Sequence, residues 1–165
     1  MKITINPYDT KSITKAIKEL NKYKQWVLVK EKELLKRLAE IGVERADITF
    51  KTALYDGIND VEVTYSQVDN KATIYAKGEA VCFIEFGTGV FYNGSGIYPV
   101  QTPAEIAGIG EYGKGKGKQK SWGFYMGGDK ENLVITHGNP PAMAMWLAEQ
   151  DIIDAVTQVA REVFR

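Results

Sequence analysis

Cysteine and histidine are almost absent from these 165 residues: Cys82 and His137 stand alone, so neither an internal disulfide nor a cluster of soft metal ligands can be assembled from them. Net charge is absent too. Twenty-one basic residues cancel twenty-one acidic ones, which removes any bulk electrostatic case for a nucleic-acid partner. No run approaches the ~20 apolar residues that a membrane helix requires, so no membrane partner is expected. The opening MKITINPYDT holds no apolar stretch of signal-peptide length, and the expectation is a protein made and kept in a reducing cytoplasm. What is present is ordinary for a globular chain: 44% hydrophobic, 11% aromatic and 25% charged, at a length that suits a single domain over 1–165.

Charge is distributed more tellingly than its sum suggests. Residues 11–41 carry nine Lys/Arg against four Asp/Glu, and residues 42–93 carry four against eight. Such a dipolar chain suits head-to-tail contacts, in which a basic face of one subunit meets an acidic face of the next.

The apolar periodicity predicts a long first helix. Ser12 serves as the expected N-cap and Gly42 as the stop. Ile13, Ala16, Ile17, Leu20, Tyr23, Val27, Leu34, Leu35, Leu38 and Ile41 lie on one stripe between them. Trp26 and Val29 point away from that stripe, which makes both candidates for a subunit interface. Ile48-Thr49-Phe50 is expected to begin a strand. Val61, Val63 and Tyr65 alternate with polar residues, Asp69-Asn70 marks a turn, and Thr73-Ile74-Tyr75 forms the partner strand of a sheet of three or four strands. The stretch 79–86 is short and apolar enough to be a strand or a short helix. A last helix is predicted from about Pro141 to Phe164, capped by Asn139 with Pro140-Pro141 in its first turn. The fold class is therefore α+β: a long N-terminal helix and a C-terminal helix packed on a small antiparallel β-sheet.

Ten of the sixteen glycines fall within 94–128. A long glycine-rich loop or hairpin insertion at about 90–138 follows, with Lys114, Lys116, Lys118 and Lys120 at a basic tip. Trp122-Gly123-Phe124-Tyr125 is expected to pair with Leu133-Val134-Ile135 across Gly127-Gly128-Asp129.

Several motifs fail on their physical context. Gly108-Ile109-Gly110-Glu111-Tyr112-Gly113 matches a dinucleotide-binding spacing, but Lys114-Gly115-Lys116-Gly117 follows where a helix is needed. No phosphate-binding loop is present. Nothing local pairs Cys82 with His137 as nucleophile and base, and a buried structural role suits Cys82 between Val81 and Phe83. No pair of carboxylates stands out for acid–base work. No catalytic residue, cofactor or metal is expected.

Two segments remain: Phe83-Ile84-Glu85-Phe86-Gly87-Thr88-Gly89, and Thr136-His137-Gly138-Asn139-Pro140-Pro141-Ala142 opening the last helix. Together they resemble the tail-component (tail-completion, neck) family of long-tailed bacteriophages, as does the order of elements. Ala142-Met143-Ala144-Met145-Trp146 stands where that family usually has an aromatic-methionine or aromatic-leucine pair after its proline. Gly87 and Gly89 permit a sharp reversal and Thr88 can close it. Glu85 is placed to accept backbone N–H groups or to pair with a cation of a neighbouring subunit. The motif residues Glu85, Phe86, Gly87, Thr88, Gly89, Pro141 and Ala142 are structural on this reading.

The resemblance implies a non-enzymatic virion protein, assembled in the bacterial host cytoplasm. It would form a ring, six-fold by expectation, at the head–tail junction or the top of a phage tail or tail-like particle. Its partners would be copies of itself and adjacent head-closure or connector, tail-terminator or tail-tube proteins. Interface candidates are Trp26, Val29, Glu85, Trp122 and Tyr125. The loop lysines 114, 116, 118 and 120 are candidates for non-specific contact with passing DNA. Alternatives are a neighbouring neck ring such as the tail terminator, a small nucleic-acid-binding module using loop 114–120, or a hydrolase dependent on His137 or Cys82.

Overall fold

A computed structural model describes residues 3–87, 121–125 and 131–165. The fold is α+β: among the described residues two long helices pack on one another, joined by a short helix and two antiparallel hairpins. Helix α1 spans Thr10–Thr52, and its 43 residues extend about 64 Å. Asp9, rather than Ser12, is its N-cap and accepts the Lys11 N–H at 3.0 Å. The Ser12 hydroxyl instead accepts the backbone N–H of Asn6.

Gly42 does not stop this helix. It lies buried inside it, where a Cβ would come within 2.5 Å of Ile74 Cδ1 and 2.6 Å of Ile152 Cδ1. The glycine lets two neighbouring elements approach the α1 axis, and its helix-breaking tendency of ~1 kcal/mol is overridden by that packing. Ile48, Thr49 and Phe50 likewise belong to α1 and not to a strand. Ala46 and Phe50, four apart, share the buried face, and the Thr49 hydroxyl donates to the Arg45 carbonyl.

Strands β1 (Glu62–Val68) and β2 (Lys71–Lys77) pair antiparallel around Asp69-Asn70, with Asp69 at φ 52°. This hairpin lies on α1, and the Gln67 side-chain amide donates to the Lys32 carbonyl. Helix α2 (Val81–Glu85) is the outcome for the ambiguous 79–86 stretch. Strands β3 (Trp122–Tyr125) and β4 (Leu133–Thr136) pair antiparallel as expected, with Gly123 opposite Ile135. Among the described residues the strands make two separate two-stranded sheets instead of one sheet of three or four.

Helix α3 (Ala144–Val163) runs antiparallel along α1, tied by Arg37–Glu162 at 2.6 Å and Arg45–Asp151 at 3.5 Å. It begins three residues later than Pro141, because Met143 adopts a left-handed conformation (φ 56°) that ends the extended strap before it. Asn139 is buried in that strap and is not the cap.

The main core is small and rich in alanine. Ala46, Phe50, Val61, Ala80, Ile84, Ala144 and Ala148 cluster where the C-terminal end of α1 meets α2 and the first turns of α3. Phe50, Ile84 and Val163 are the largest fully buried side chains among the described residues. At the other end, Phe164 reaches Trp26, so residues 10–25 of α1 extend past the end of α3 by about 24 Å, with Ala16 buried among them.

Candidate functional site

The segment that carries the family-like motif is built from its neighbours. The carboxylate of Asp60 accepts the N–H of Glu79 at 2.7 Å and of Ala80 at 2.9 Å, fixing the chain just before α2. Those bonds, the one from Ala80 first, hold the Asp60 carboxyl below its ordinary value. One and a half turns of helix then send Ile84 into the core and leave Glu85 beside the start of α3.

Glu85 is 3% exposed. Its Oε2 accepts the Met145 N–H at 3.0 Å and its Oε1 the Trp146 N–H at 3.3 Å. Met145 and Trp146 are the second and third residues of α3, whose N–H groups have no partner within the helix. A serine or aspartate at the N-cap position normally serves them, but Met143 stands there and offers no side-chain acceptor. Glu85 supplies the missing cap from a distant part of the sequence, and its negative charge suits the positive end of the helix dipole.

The reverse exchange also occurs. Ala142 N–H donates to the Ile84 carbonyl at 2.8 Å and Met143 N–H to the Glu85 carbonyl at 3.2 Å. Each helix end thus satisfies backbone groups of the other, and the chain segments 83–87 and 139–143 are locked together. Gly87 follows at φ 74°, buried, in the conformation expected for the reversal. Phe86 closes α2 with its N–H on the Cys82 carbonyl. Thr88, Gly89 and the lysines at 114, 116, 118 and 120 lie outside the described residues.

Of the two roles open to Glu85, the structure shows acceptance of backbone N–H groups. Its carboxylate is inside the protomer, which corrects its placement as a surface contact to a neighbouring subunit. Chemically this is a structural carboxylate, occupied by two helix N–H groups. Among the described residues no group of three or more His, Cys, Asp or Glu side chains is arranged to hold a metal ion. Nor does a hydrogen bond there join Cys82, which is half-buried, to His137, whose exposed ring lies 3.9 Å from Asp56. No helix of the described residues is long and apolar enough to cross a membrane.

The surface is more revealing than the interior. Trp26, 36% exposed, stacks on Tyr23 with ring centroids 5.5 Å apart and meets the edge of Phe164 at 5.9 Å. Part of the cover expected from another subunit therefore comes from the chain's own C-terminal end. Val29 remains 62% exposed. Phe164 continues a line of α3 side chains, Ile153 and Val156, that face solvent at helical spacing. Tyr23, Trp26, Phe164, Val156 and Ile153 form an apolar patch crossing both helices. Tyr125 is exposed on the second hairpin, and Trp122 occupies its first strand position.

Neither Asp60 nor Phe164 stood out in the sequence. Asp60 acts on residues 19 and 20 positions away, where no local capping pattern is visible. Phe164 read as part of the buried stripe of α3, and only the overhang of α1 shows that it meets Trp26. No family model, curated protein or solved structure matches the chain.

Proposed function

We propose that this protein is a structural component of a phage or phage tail-like particle. It forms a ring, six-fold by expectation, at the head–tail junction or the top of the tail and so joins or completes the tail. One observation carries the reading. The two sequence segments that resemble the tail-completion family have 46 residues between them, yet the Ala142 N–H donates to the Ile84 carbonyl across that gap, and Met143, Met145 and Trp146, just past the second segment, donate three more bonds to Glu85. A motif whose carboxylate is used up in holding two helix ends together is a structural device, consistent with a non-enzymatic role.

The apolar patch over Tyr23, Trp26, Phe164, Val156 and Ile153 supports assembly, since exposed aromatic and aliphatic clusters of this kind mark protein contacts. Copies of the chain are the first partners on this reading, and adjacent connector, tail-terminator or tail-tube proteins the next. The lysines at 114, 116, 118 and 120 are assigned to non-specific contact with DNA in the ring's channel. Removing the gene from a producing strain and imaging the particles tests the proposal. Unjoined heads and tails, or unfinished tails, are expected; normal particles would refute it.

A further inference from the structure

We propose that the two ends of this protein bind one another between copies. The segment 56–62 of one protomer seats on the face that Ile17, Lys18 and Lys22 present on the N-terminal part of the next protomer's α1. The proposal deepens the ring reading and rests on it for the identity of the assembly.

The two surfaces lie at opposite ends of a helix about 64 Å long. At the N-terminal end, residues 10–25 hold five lysines (11, 15, 18, 22 and 24) against the single carboxylate of Glu19, a balance of +4. Ile13, Ile17 and Leu20 are exposed along one line of this stretch, and Lys11, Lys15, Lys18 and Lys22 follow another at the same helical spacing. Between the two lines Thr14, Ile17, Lys18, Asn21, Lys22 and Gln25 make one nearly flat, open face of the helix. It offers one aliphatic surface, the ammonium group of Lys18 and that of Lys22, which is paired with Glu19 of the same helix at 2.9 Å and would exchange or share that partner on docking.

Beyond the C-terminal end of α1 the chemistry inverts. Residues 54–62 contain Asp56, Asp60 and Glu62 and no lysine or arginine. Leu54 is 77% and Ile58 86% exposed there, more than any other aliphatic side chain among the described residues. Ile58 stands two residues after Asp56 and four before Glu62, while Asp60 between them is held by the Glu79 and Ala80 N–H groups, so the segment presents an apolar side chain flanked by the carboxylates of Asp56 and Glu62. That is the complement of the lysine-bearing face.

Charge also decides the kind of contact. A two-fold pairing of basic end with basic end, or acidic with acidic, sets like charges against each other. Only the unlike pairing satisfies both ends, and because the surfaces differ it is heterologous, the type that closes into rings or extends into stacks. A nucleic acid or an anionic membrane would match the lysines but would leave the acidic, apolar end without a counterpart.

Sedimentation velocity of the full chain in about 0.15 M salt tests the contact, using Lys18→Glu with Lys22→Glu in one variant and Asp56→Lys with Glu62→Lys in another. Each variant alone is expected to self-associate at least tenfold more weakly than the wild type, and an equimolar mixture to regain association. Ile58→Ser, at a side chain almost free of its own protomer, is expected to give the same loss with an unchanged thermal melt. Wild-type-like association of all three variants overturns this contact and leaves the ring reading standing. A wild-type chain that stays monomeric at every concentration, alone or with neighbouring particle proteins, overturns both.

Discussion

The carboxylate of Glu85 accepts the backbone N–H of Met145 at 3.0 Å across 60 residues of sequence. Through that bond the end of α2 and the start of α3 become one unit, and the same unit borders the core at Ile84 and Ala144. Replacing Glu85 by Ala leaves buried N–H groups of α3 without their acceptor. A loss of about 2–3 kcal/mol in urea denaturation is expected. Glu85→Gln, which keeps one acceptor oxygen but no charge, should recover part of it. A stability equal to wild type in Glu85→Ala would show that the capping bonds contribute nothing.

Phe50 is 1% exposed at the centre of an alanine-rich cluster with few other large side chains. Phe50→Ala is expected to cost about 3–5 kcal/mol, enough to unfold much of the population of a marginally stable domain. Leu54→Ala, four residues later but on the surface, should change stability by less than about 0.5 kcal/mol. Far-UV circular dichroism melts of the two variants check the contrast.

Asp60 gives the structure a defined acid sensitivity. Its folded-state carboxyl is held below the ordinary value by the Ala80 and Glu79 N–H groups. Its stabilising contribution is therefore complete above the unfolded value and is lost as pH falls through the lower folded one. Below about pH 4 the melting temperature should decline. Asp60→Asn should have a lower melting temperature than wild type at pH 7 and a smaller difference from it at pH 3. A difference that stayed constant across that range would contradict the assignment.

Gly42 marks where α1, α3 and the first hairpin come closest. Gly42→Val would drive a branched side chain against Ile74 and Ile152, and a destabilisation of about 1–3 kcal/mol is expected despite the better helix propensity of valine. Equilibrium unfolding measures it, and a more stable variant would mean that the approach is not tight.

Local patterns were readable wherever the relevant forces were local. The alternation of Val63 and Tyr65, the Asp69-Asn70 turn and the partner strand at 73–75 all appear in the β1–β2 hairpin. The pairing of 122–125 with 133–135 appears as well. Long-range packing is what the sequence concealed. Gly42 and the β-branched Ile48-Thr49 look like breaks in a helix until Ile74, Ile152 and the core around Phe50 are present to hold them. The start of α3 was misplaced because Asn139 and the prolines imitate a capped first turn, whereas the true cap comes from Glu85. As for the site, Glu85 was legible as a backbone acceptor, but its partners were not, and its burial removes it from the surface. Trp26 and Val29 were recognisable as apolar outside the main stripe. Phe164 as a neighbour of Trp26 required the three-dimensional arrangement.

On the proposed ring reading, Trp26 would serve both the protomer and its assembly. It touches Tyr23 and Phe164 within the protomer yet keeps a third of its surface exposed. Aromatic residues in such settings anchor protein interfaces. The mass of the purified chain by multi-angle light scattering, over a concentration series with and without neighbouring particle proteins, is the most direct test of the ring. The account predicts a species near six protomers, alone or on adding a partner, that is lost in Trp26→Ala while the fold remains intact. A chain that stays monomeric under all of these conditions would contradict it.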